Sequence, residues 1–310
     1  MYLSYFQFNK EPFALTPNTA FFCDLPAHRD ALSLLLATLE TGEGFIKIIG
    51  EVGVGKTLVC RQLLNQLPKE QYQTCYLPNP SVSPDELKAM FLAELKGKKA
   101  LKKTDQMQQI NSALLDYAKA KKTVVLLIDE AQALSDECLE LLRLFSNLET
   151  ESKKLLQIVL FAQPELDWRL NQHHFRQLSQ RITTSYKINP LTKEGVARYL
   201  SSRLVCAGHQ HGQIFQKRAL DMLYKKSQGV PRVINILAHK ALLLAYAGSS
   251  TEVDRKMVEQ AVLDSQDVVR TVLYYRNKPS KVHFLFWSMP LVCAIAVMMA
   301  WEIYHIWLLR

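Results

Sequence analysis

The chain has 310 residues, about twice the usual size of one domain, so we expect a large domain with a smaller one, or two domains and a tail. Its 48% hydrophobic and 22% charged residues are ordinary globular values, which sets aside the compositionally extreme classes of protein. The net charge of +9 suits a nucleotide, a nucleic acid or a negatively charged membrane as partner, and identifies none of them.

The termini and the cysteines bear on the cellular compartment. The amino terminus lacks a basic stretch followed by an apolar core, so it does not have the pattern of a secretory signal, and we expect the body of the chain in the cytoplasm. The six cysteines show neither a C-x-x-C pair nor metal-ligand spacing, which favours reduced thiols over a metal site.

Helical and strand patterns alternate between residues 26 and 190. Helices are expected at residues 26–44, 56–67, 83–95 and 135–149. Strands are expected at residues 45–50, 73–80, 123–129, 154–163 and 183–188, and "TVVLLID" (123–129) has the strongest strand signal. This alternation predicts an α/β domain over residues 1–190, with a parallel sheet covered by helices on both faces.

Beyond residue 190 the strand patterns stop. Four helices are expected at residues 191–208, 215–229, 231–248 and 254–266. They predict a separate helical domain over residues 191–268, followed by a basic linker over residues 269–283. Earlier in the chain, "KGKKALKK" (96–103) carries five lysines in eight residues and is either a solvated segment or a patch that touches a partner or anionic lipid.

The segment "GEVGVGKT" (50–57) fits the phosphate-loop pattern G-x-x-x-x-G-K-[ST] and lies between a predicted strand and a predicted helix, as that motif requires. Glycines in the loop allow backbone N–H groups to face phosphate oxygens, and the positive end of the helix dipole strengthens that field. Lys56 is expected to reach the β- and γ-phosphates of ATP, and the Thr57 hydroxyl to hold Mg²⁺. The expected nucleotide contacts are Gly50, Glu51, Val52, Gly53, Val54, Gly55, Lys56, Thr57 and Leu58.

Two acidic residues follow the strongest predicted strand. Asp129 is expected to complete the Mg²⁺ site with Thr57. Glu130 comes next and can orient and polarise the attacking water, since catalysis of phosphoryl transfer is mainly positioning and charge stabilisation. An apolar residue in that place would favour an ATP-binding switch, so Glu130 favours hydrolysis.

The order of these motifs resembles the AAA+ ATPases, and more closely the ExeA/GspA group of membrane-anchored ATPases. The matching stretches include "YLSYFQFNKEPFALTPN" (2–18), "LLIDEAQAL" (126–134), "AQPELDWRL" (162–170), "LSQRITTSYKINPLTKEGVARYLSSRL" (178–204) and "GVPRVINILAHKALLLAYA" (229–247). The resemblance covers about residues 1–265 and implies an α/β P-loop NTPase fold with a parallel sheet core and a helical lid. Val54 departs from the family pattern, which usually has a small or hydroxyl residue there, so altered turnover is the most we expect from it.

The resemblance also implies roles that the spacing of residues does not. Gln163 matches the position at which a polar side chain contacts the γ-phosphate or the attacking water. Arg181 matches an arginine that completes the site of a neighbouring subunit, with Arg176 as the nearby competitor. Arg232 matches an arginine by which the lid senses the nucleotide. His28 lies where the family binds adenine, although a helix-capping or surface histidine is an equal alternative.

The segment "FLFWSMPLVCAIAVMMAW" (284–301) contains no charged residue, and the apolar character continues to residue 309. A helix needs ~20 apolar residues to cross the hydrocarbon core, so we expect one transmembrane helix over residues 284–309. A buried C-terminal core helix is the alternative. Four basic residues precede the segment (Arg270, Arg276, Lys278 and Lys281) and only Arg310 follows it, which predicts a cytoplasmic ATPase part on the inner membrane.

The sequence therefore predicts a membrane-anchored, Mg²⁺-dependent ATPase. The in-trans arginine that the resemblance implies makes it a homo-oligomer, expected to form a ring. From the resemblance, its partners are assembly proteins of a type IV pilus of the mannose-sensitive haemagglutinin kind or of a type II secretion complex. A DNA-associated ATPase of the same fold, such as a transposition or replication regulator, is the alternative, but no nucleic-acid-binding motif accompanies the charge. A scaffold that binds ATP without hydrolysing it is a third possibility.

Overall fold

The structure is a computed structural model that describes residues 2–15, 25–97, 105–149 and 154–270. The chain divides into two compact units, Met1–Asp264 and Ser265–Arg310, and only residues 265–270 of the second are described. The first unit contains both the sheet and the helical region, and the domain boundary expected at residue 190 stays a prediction.

A five-stranded parallel sheet forms the centre of the fold, in the order β2-β3-β4-β1-β5. The strands are β1 (Phe45–Gly50), β2 (Tyr72–Leu77), β3 (Thr123–Ile128), β4 (Leu156–Ala162) and β5 (Thr184–Ile188). The central strands β3 and β4 are almost wholly buried, because a parallel sheet is covered on both faces. The parallel α/β sheet that the sequence predicts is therefore confirmed.

Helices cover the two faces of this sheet. They are α2 (Pro26–Glu40), α3 (Lys56–Gln66), α4 (Pro84–Lys96), α5 (Gln106–Lys119) and α6 (Asp136–Phe145), and a short α1 (Tyr2–Tyr5) precedes them. Successive strand residues point to opposite faces, so neighbours such as Leu126 and Leu127 belong to two different apolar clusters. One cluster packs against α4, α5 and α6, and the other against α2 and α3.

The sequence analysis did not predict α5. This helix buries Ile110, Ala113 and Leu114 on one face, and Tyr117 packs beside them with its hydroxyl donating to the Leu95 carbonyl at 2.8 Å. The i, i+3, i+4, i+7 spacing of these residues is the signal of an amphipathic helix. The sequence therefore contains the signal of this helix, at residues 110, 113, 114 and 117.

Two short helices, α7 (Pro164–Leu170) and α8 (Arg176–Arg181), connect β4 to the edge strand β5. Pro164 begins α7, where a proline's missing N–H and its fixed φ are tolerated. Because β4 runs parallel to β1, the end of β4, and thus Gln163, lies at the same edge of the sheet as the phosphate loop.

The four predicted C-terminal helices are present as α9 (Lys193–Cys206), α10 (Lys217–Ser227), α11 (Pro231–Ala247) and α12 (Arg255–Leu263). The amino-terminal segment, residues 2–15, packs against them. Arg203 of α9 is buried, and its guanidinium donates to the carbonyl oxygens of Pro12 at 2.6 Å and Ala14 at 3.3 Å. Phe13 meets Phe215 edge to face. The amino terminus is therefore tied to the helical region.

Two sequence predictions fall on residues that the structure does not describe. The transmembrane helix expected over residues 284–309 lies outside the described residues, as do residues 271–283 of the basic linker and most of the lysine run. Among the helices that are described, none combines the length and the apolar character needed to span a bilayer.

Candidate functional site

The phosphate loop joins the end of β1 to the start of α3 at the carboxyl edge of the sheet. Gly53 and Gly55 adopt positive φ angles of 81° and 103°, a region of backbone conformation that favours glycine. A Cβ atom on Gly53 would lie 2.6 Å from Cβ of Arg232, and one on Gly55 would lie 2.8 Å from Nε2 of His28. The loop is thus curved by its glycines and packed closely against α2 and α11.

Lys56, the first residue of α3, is 5% exposed. Its ammonium group donates to the carbonyl oxygens of Gly50 at 2.8 Å and Glu51 at 3.1 Å. Burial lowers the pKa of Lys56, and the carboxylates of Glu130 and Asp129 oppose that change. The ammonium group therefore lies between the loop carbonyls and two acidic side chains, within the cleft that the loop borders.

Thr57, which lines this cleft, contacts Asp129. The Thr57 hydroxyl donates to Oδ2 of Asp129 at 2.7 Å, and Oδ1 of Asp129 accepts from the backbone N–H of Glu130 at 3.0 Å. Asp129 is 2% exposed, and burial raises the pKa of its carboxyl group against the lowering effect of these hydrogen bonds. The sequence prediction that these two residues lie together agrees with this geometry.

The oxygen pair of Thr57 and Asp129 fits Mg²⁺, which in phosphate-transferring sites takes one or two protein oxygens and completes its shell with phosphate and water. Over the described ranges, no group of three or more His, Cys, Asp or Glu residues could hold a metal ion. A divalent ion here would therefore depend on the nucleotide for the rest of its ligands.

Glu130 has an unusual backbone for a residue with a side chain. Its φ of 53° and ψ of 38° lie in the left-handed region, immediately before a 3₁₀ turn over Ala131–Ala133. Its Oε2 atom accepts from Nε2 of Gln132 at 2.5 Å and from Nε2 of Gln163 at 3.1 Å. Gln163, predicted from the family resemblance, is thus brought to Glu130 at the end of β4.

Arg232 lies at the start of α11, above the phosphate loop. Its backbone N–H donates to the Gly53 carbonyl at 3.2 Å, and its side chain lines the same cleft as Lys56, Thr57 and Glu130. The helical region therefore contacts the loop directly, and it does so through the arginine that the resemblance singles out.

Arg181 and Arg176 lie at the two ends of α8, and both are exposed. Neither lines the cleft that holds Lys56 and Glu130. In the part of the chain that the structure describes, no side-chain hydrogen bond or ion pair of either arginine is found. The structure thus brings four of the predicted site residues, Lys56, Thr57, Glu130 and Arg232, to one cleft, and leaves the candidate in-trans arginines outside it.

His28 is buried in α2, and its Nε2 contacts the Val54 carbonyl at 2.7 Å. Since a carbonyl oxygen only accepts, Nε2 carries the proton. Burial lowers the pKa of His28, although the Val54 contact opposes that change. His28 therefore supports the phosphate loop, and neither a helix cap nor a surface histidine describes it.

Several residues of the cleft were not predicted as site residues. The far side of the cleft is formed by Ala14, Leu15, Leu25, Tyr199, Arg203 and Asn235. Ala14 and Leu15 come from the amino-terminal segment, Leu25 directly precedes α2, and the other three come from the helical region. No local motif marks them. Gln132 was also missed as a site residue, although its place two residues after Glu130 in "DEAQ" could have drawn attention to it.

Comparison with known proteins agrees with this geometry. Residues 39–170 match a family model described as an AAA domain. General secretion pathway protein A of Aeromonas hydrophila is 41% identical over 260 residues, which cover 82% of this chain and 46% of that protein. The chain thus spans about half the length of this curated relative.

Solved structures share the fold at low sequence identity. The ORC2 protein of Aeropyrum pernix, in ADPNP–ADP complexes, has a TM-score of 0.60 and 14% identity, covering 80% of this chain and 72% of its own. The ORC1 protein of the same organism, in complex with DNA, has a TM-score of 0.58 and 17% identity, covering 82% and 69%. Residues 39–170, which include the phosphate loop, therefore match an AAA domain, and the chain is similar over 260 residues to general secretion pathway protein A.

Proposed function

We propose that this chain hydrolyses ATP with the help of Mg²⁺. The observation that carries the proposal is the position of the Glu130 carboxylate, which two side-chain amides hold at the cleft where Lys56 and the Thr57–Asp129 pair meet. A carboxylate fixed beside a phosphate site can orient and polarise a water molecule for attack on the γ-phosphate.

The other residues of the cleft would stabilise charge. Lys56 and Arg232 supply cations where negative charge builds up on the transferring phosphoryl group. Thr57 and Asp129 would hold Mg²⁺, which neutralises charge on the β- and γ-phosphate oxygens. Gln163 would hold Glu130 and contact either the γ-phosphate or the attacking water.

The apolar side of the cleft, with Ala14, Leu15 and Leu25, has the character required to receive adenine.

The test is ATP turnover by the full chain, measured beside binding of a fluorescent ATP analogue. We expect Glu130→Gln to bind the analogue like the wild type while turnover falls by about 10²- to 10⁴-fold. Lys56→Ala should lose analogue binding as well. If the wild type binds ATP and releases no phosphate under any Mg²⁺ concentration, the scaffold that only binds ATP becomes the better description.

We also propose that the active form is a homo-oligomer that closes into a ring. The support is the family resemblance of Arg181, together with its exposed position outside the cleft of its own chain. An arginine that serves the neighbouring subunit would make turnover depend on assembly. Arg176, at the other end of α8, is the alternative for this role.

For the cellular role, we propose an ATPase anchored to the inner membrane by residues 284–309, with residues 1–280 in the cytoplasm. It would support assembly of a type II secretion complex or of a pilus of the mannose-sensitive haemagglutinin kind. The support is the 41% identity to a protein named for general secretion, and the uncharged run near the end of the sequence. Partners in that complex would be recovered by crosslinking from membranes.

The DNA-associated alternative has the +9 charge as its support. The ORC1 structure contains DNA, but at 17% identity the likeness concerns the fold alone. Binding to duplex DNA that weakens steeply as salt is raised would revive this alternative, because contacts to phosphates release counterions.

A further inference from the structure

Gln132 contacts two residues of the proposed catalytic set at once. Its Nε2 atom donates to Oε2 of Glu130 at 2.5 Å, and its Oε1 atom accepts from the backbone N–H of Gln163 at 3.0 Å. A rotated amide would place a donor against the Gln163 N–H and an acceptor against the carboxylate, so these two partners determine its orientation.

The turn that carries Gln132 is held from outside. Arg169 of α7 donates to the carbonyl oxygens of Gln132 at 3.0 Å and Leu134 at 2.7 Å, and it forms an ion pair with Asp136 at 2.5 Å. These bonds fix the 3₁₀ turn that directly follows Glu130. A residue with a side chain adopts the left-handed backbone conformation of Glu130 only at a cost in free energy. The bonds from Arg169 hold the chain next to Glu130 and so stabilise this conformation.

The two amides that hold Glu130 both donate to the same carboxylate oxygen. Gln132 and Gln163 contact Oε2, while no donor to Oε1 is found among the residues that the structure describes. Glu130 lines the cleft together with Lys56 and Thr57. One oxygen is thus used to orient the carboxylate, and the other is left for a water molecule in the cleft.

From these contacts we infer that Gln132 is a positioning residue for hydrolysis, which sets the orientation of the Glu130 carboxylate and links it to Gln163. The inference rests on the proposed ATPase function. Gln132 acts through Glu130 rather than on the nucleotide, since its side-chain amide is engaged by the Glu130 carboxylate and by the backbone N–H of Gln163. Its loss should therefore lower the rate of the chemical step and leave nucleotide binding intact.

The experiment compares two variants of the full chain. Gln132→Ala removes both side-chain contacts, whereas Gln132→Glu keeps the shape and the acceptor for Gln163 but places a carboxylate against Glu130. We expect each to lower kcat by about tenfold to a hundredfold, the scale of a misplaced catalytic group, with KM for ATP within about twofold of the wild type. The melting temperature should stay near that of the wild type.

Gln71→Glu is the matched control for Gln132→Glu, because it introduces the same change of charge at an exposed residue. Gln71 directly precedes β2, at the amino ends of the strands and thus opposite the phosphate loop. Its kcat should equal that of the wild type.

If the wild type and the control hydrolyse ATP and both Gln132 variants keep their kcat, the inference is wrong and the ATPase function stands. A loss of kcat that comes with an equal change in KM or a lower melting temperature also overturns it. A wild type without turnover overturns the proposed function, and the inference with it.

Discussion

The Thr57 hydroxyl donates a 2.7 Å hydrogen bond to Oδ2 of Asp129, although 72 residues separate them along the chain. Thr57 lies in the first turn of α3, after β1, and Asp129 directly follows β3, with β4 between these two strands in the sheet. Parallel strands end at one edge, so the residue that follows one strand and the loop that follows another meet there. The hydrogen bond between Thr57 and Asp129 therefore depends on the order of the strands in the sheet.

Thr57→Ala should lower kcat and raise the Mg²⁺ concentration needed for half-maximal turnover, each by at least about tenfold, because it removes one of the two oxygen groups proposed to hold the ion. The measurement is phosphate release during a Mg²⁺ titration. Tyr76→Phe is the control, since the Tyr76 hydroxyl lies 3.5 Å from the same Oδ2 atom and forms only a weak bond. An unchanged Mg²⁺ requirement in Thr57→Ala would contradict the proposed site.

Gly53→Ala should weaken nucleotide binding by separating the phosphate loop from α11. The added Cβ would lie 2.6 Å from Cβ of Arg232, so the backbone contact between Arg232 and Gly53 has to shift. Gly42→Ala is a close control, because Gly42 has almost the same φ, 82° against 81°, and a Cβ there would meet no atom within 4 Å.

In both alanine variants the free energy of unfolding should fall by about 1–2 kcal/mol, because alanine is strained in the left-handed backbone conformation. Only Gly53→Ala should also bind an ATP analogue more weakly. The measurements are denaturant unfolding and analogue titration. Equal affinities in the two variants would mean that the contact between the loop and α11 does not affect binding.

The fold and the centre of the site could be predicted because they follow from local signals. Apolar runs marked the strands, and the motif residues Lys56, Asp129 and Glu130 follow strands β1 and β3, whose ends a parallel sheet brings to one edge. What could not be predicted depends on distant contacts. Arg203 bonds to the carbonyl of Pro12 across 191 residues, and Arg169 holds the turn of Gln132 from another helix. No periodicity or spacing in the sequence encodes such pairs.

His28→Gln should remove part of the acid sensitivity of the fold. The pKa of His28 is lowered from 6.5 by burial, so below about pH 6.5 the unfolded chain binds a proton that the folded chain resists. Stability should therefore fall as the pH drops through this range, by up to about 1.4 kcal/mol per pH unit for one proton. Denaturant unfolding at pH 7.5, 6.5 and 5.5 measures the slope.

The control for that slope is His173→Gln, because His173 is exposed. Its stability should change with pH as that of the wild type does. If His28→Gln and the wild type have the same slope, His28 is not the group whose protonation opposes folding.

The full chain should stay in the membrane pellet after sodium carbonate extraction, and a variant that ends at Ser280 should be released. The reason is the uncharged run of residues 284–301, which continues in apolar character to residue 309 and is long enough for one span. Release of the full chain under the same conditions would rule out the anchor.

Arg181→Ala should keep the affinity for ATP and lose most of the turnover, because the exposed Arg181 does not line the cleft of its own chain and is proposed to act in a neighbouring one. An arginine supplied to another subunit is worth about 10³- to 10⁵-fold in rate. Mixing Arg181→Ala with Glu130→Gln should partly restore turnover, since some mixed assemblies then contain a site with its own Glu130 and a neighbour's Arg181.

Arg176→Ala is the matched comparison from the same helix. Restoration with Arg176→Ala instead would move the role to that residue, and full activity of Arg181→Ala alone would exclude Arg181 from catalysis.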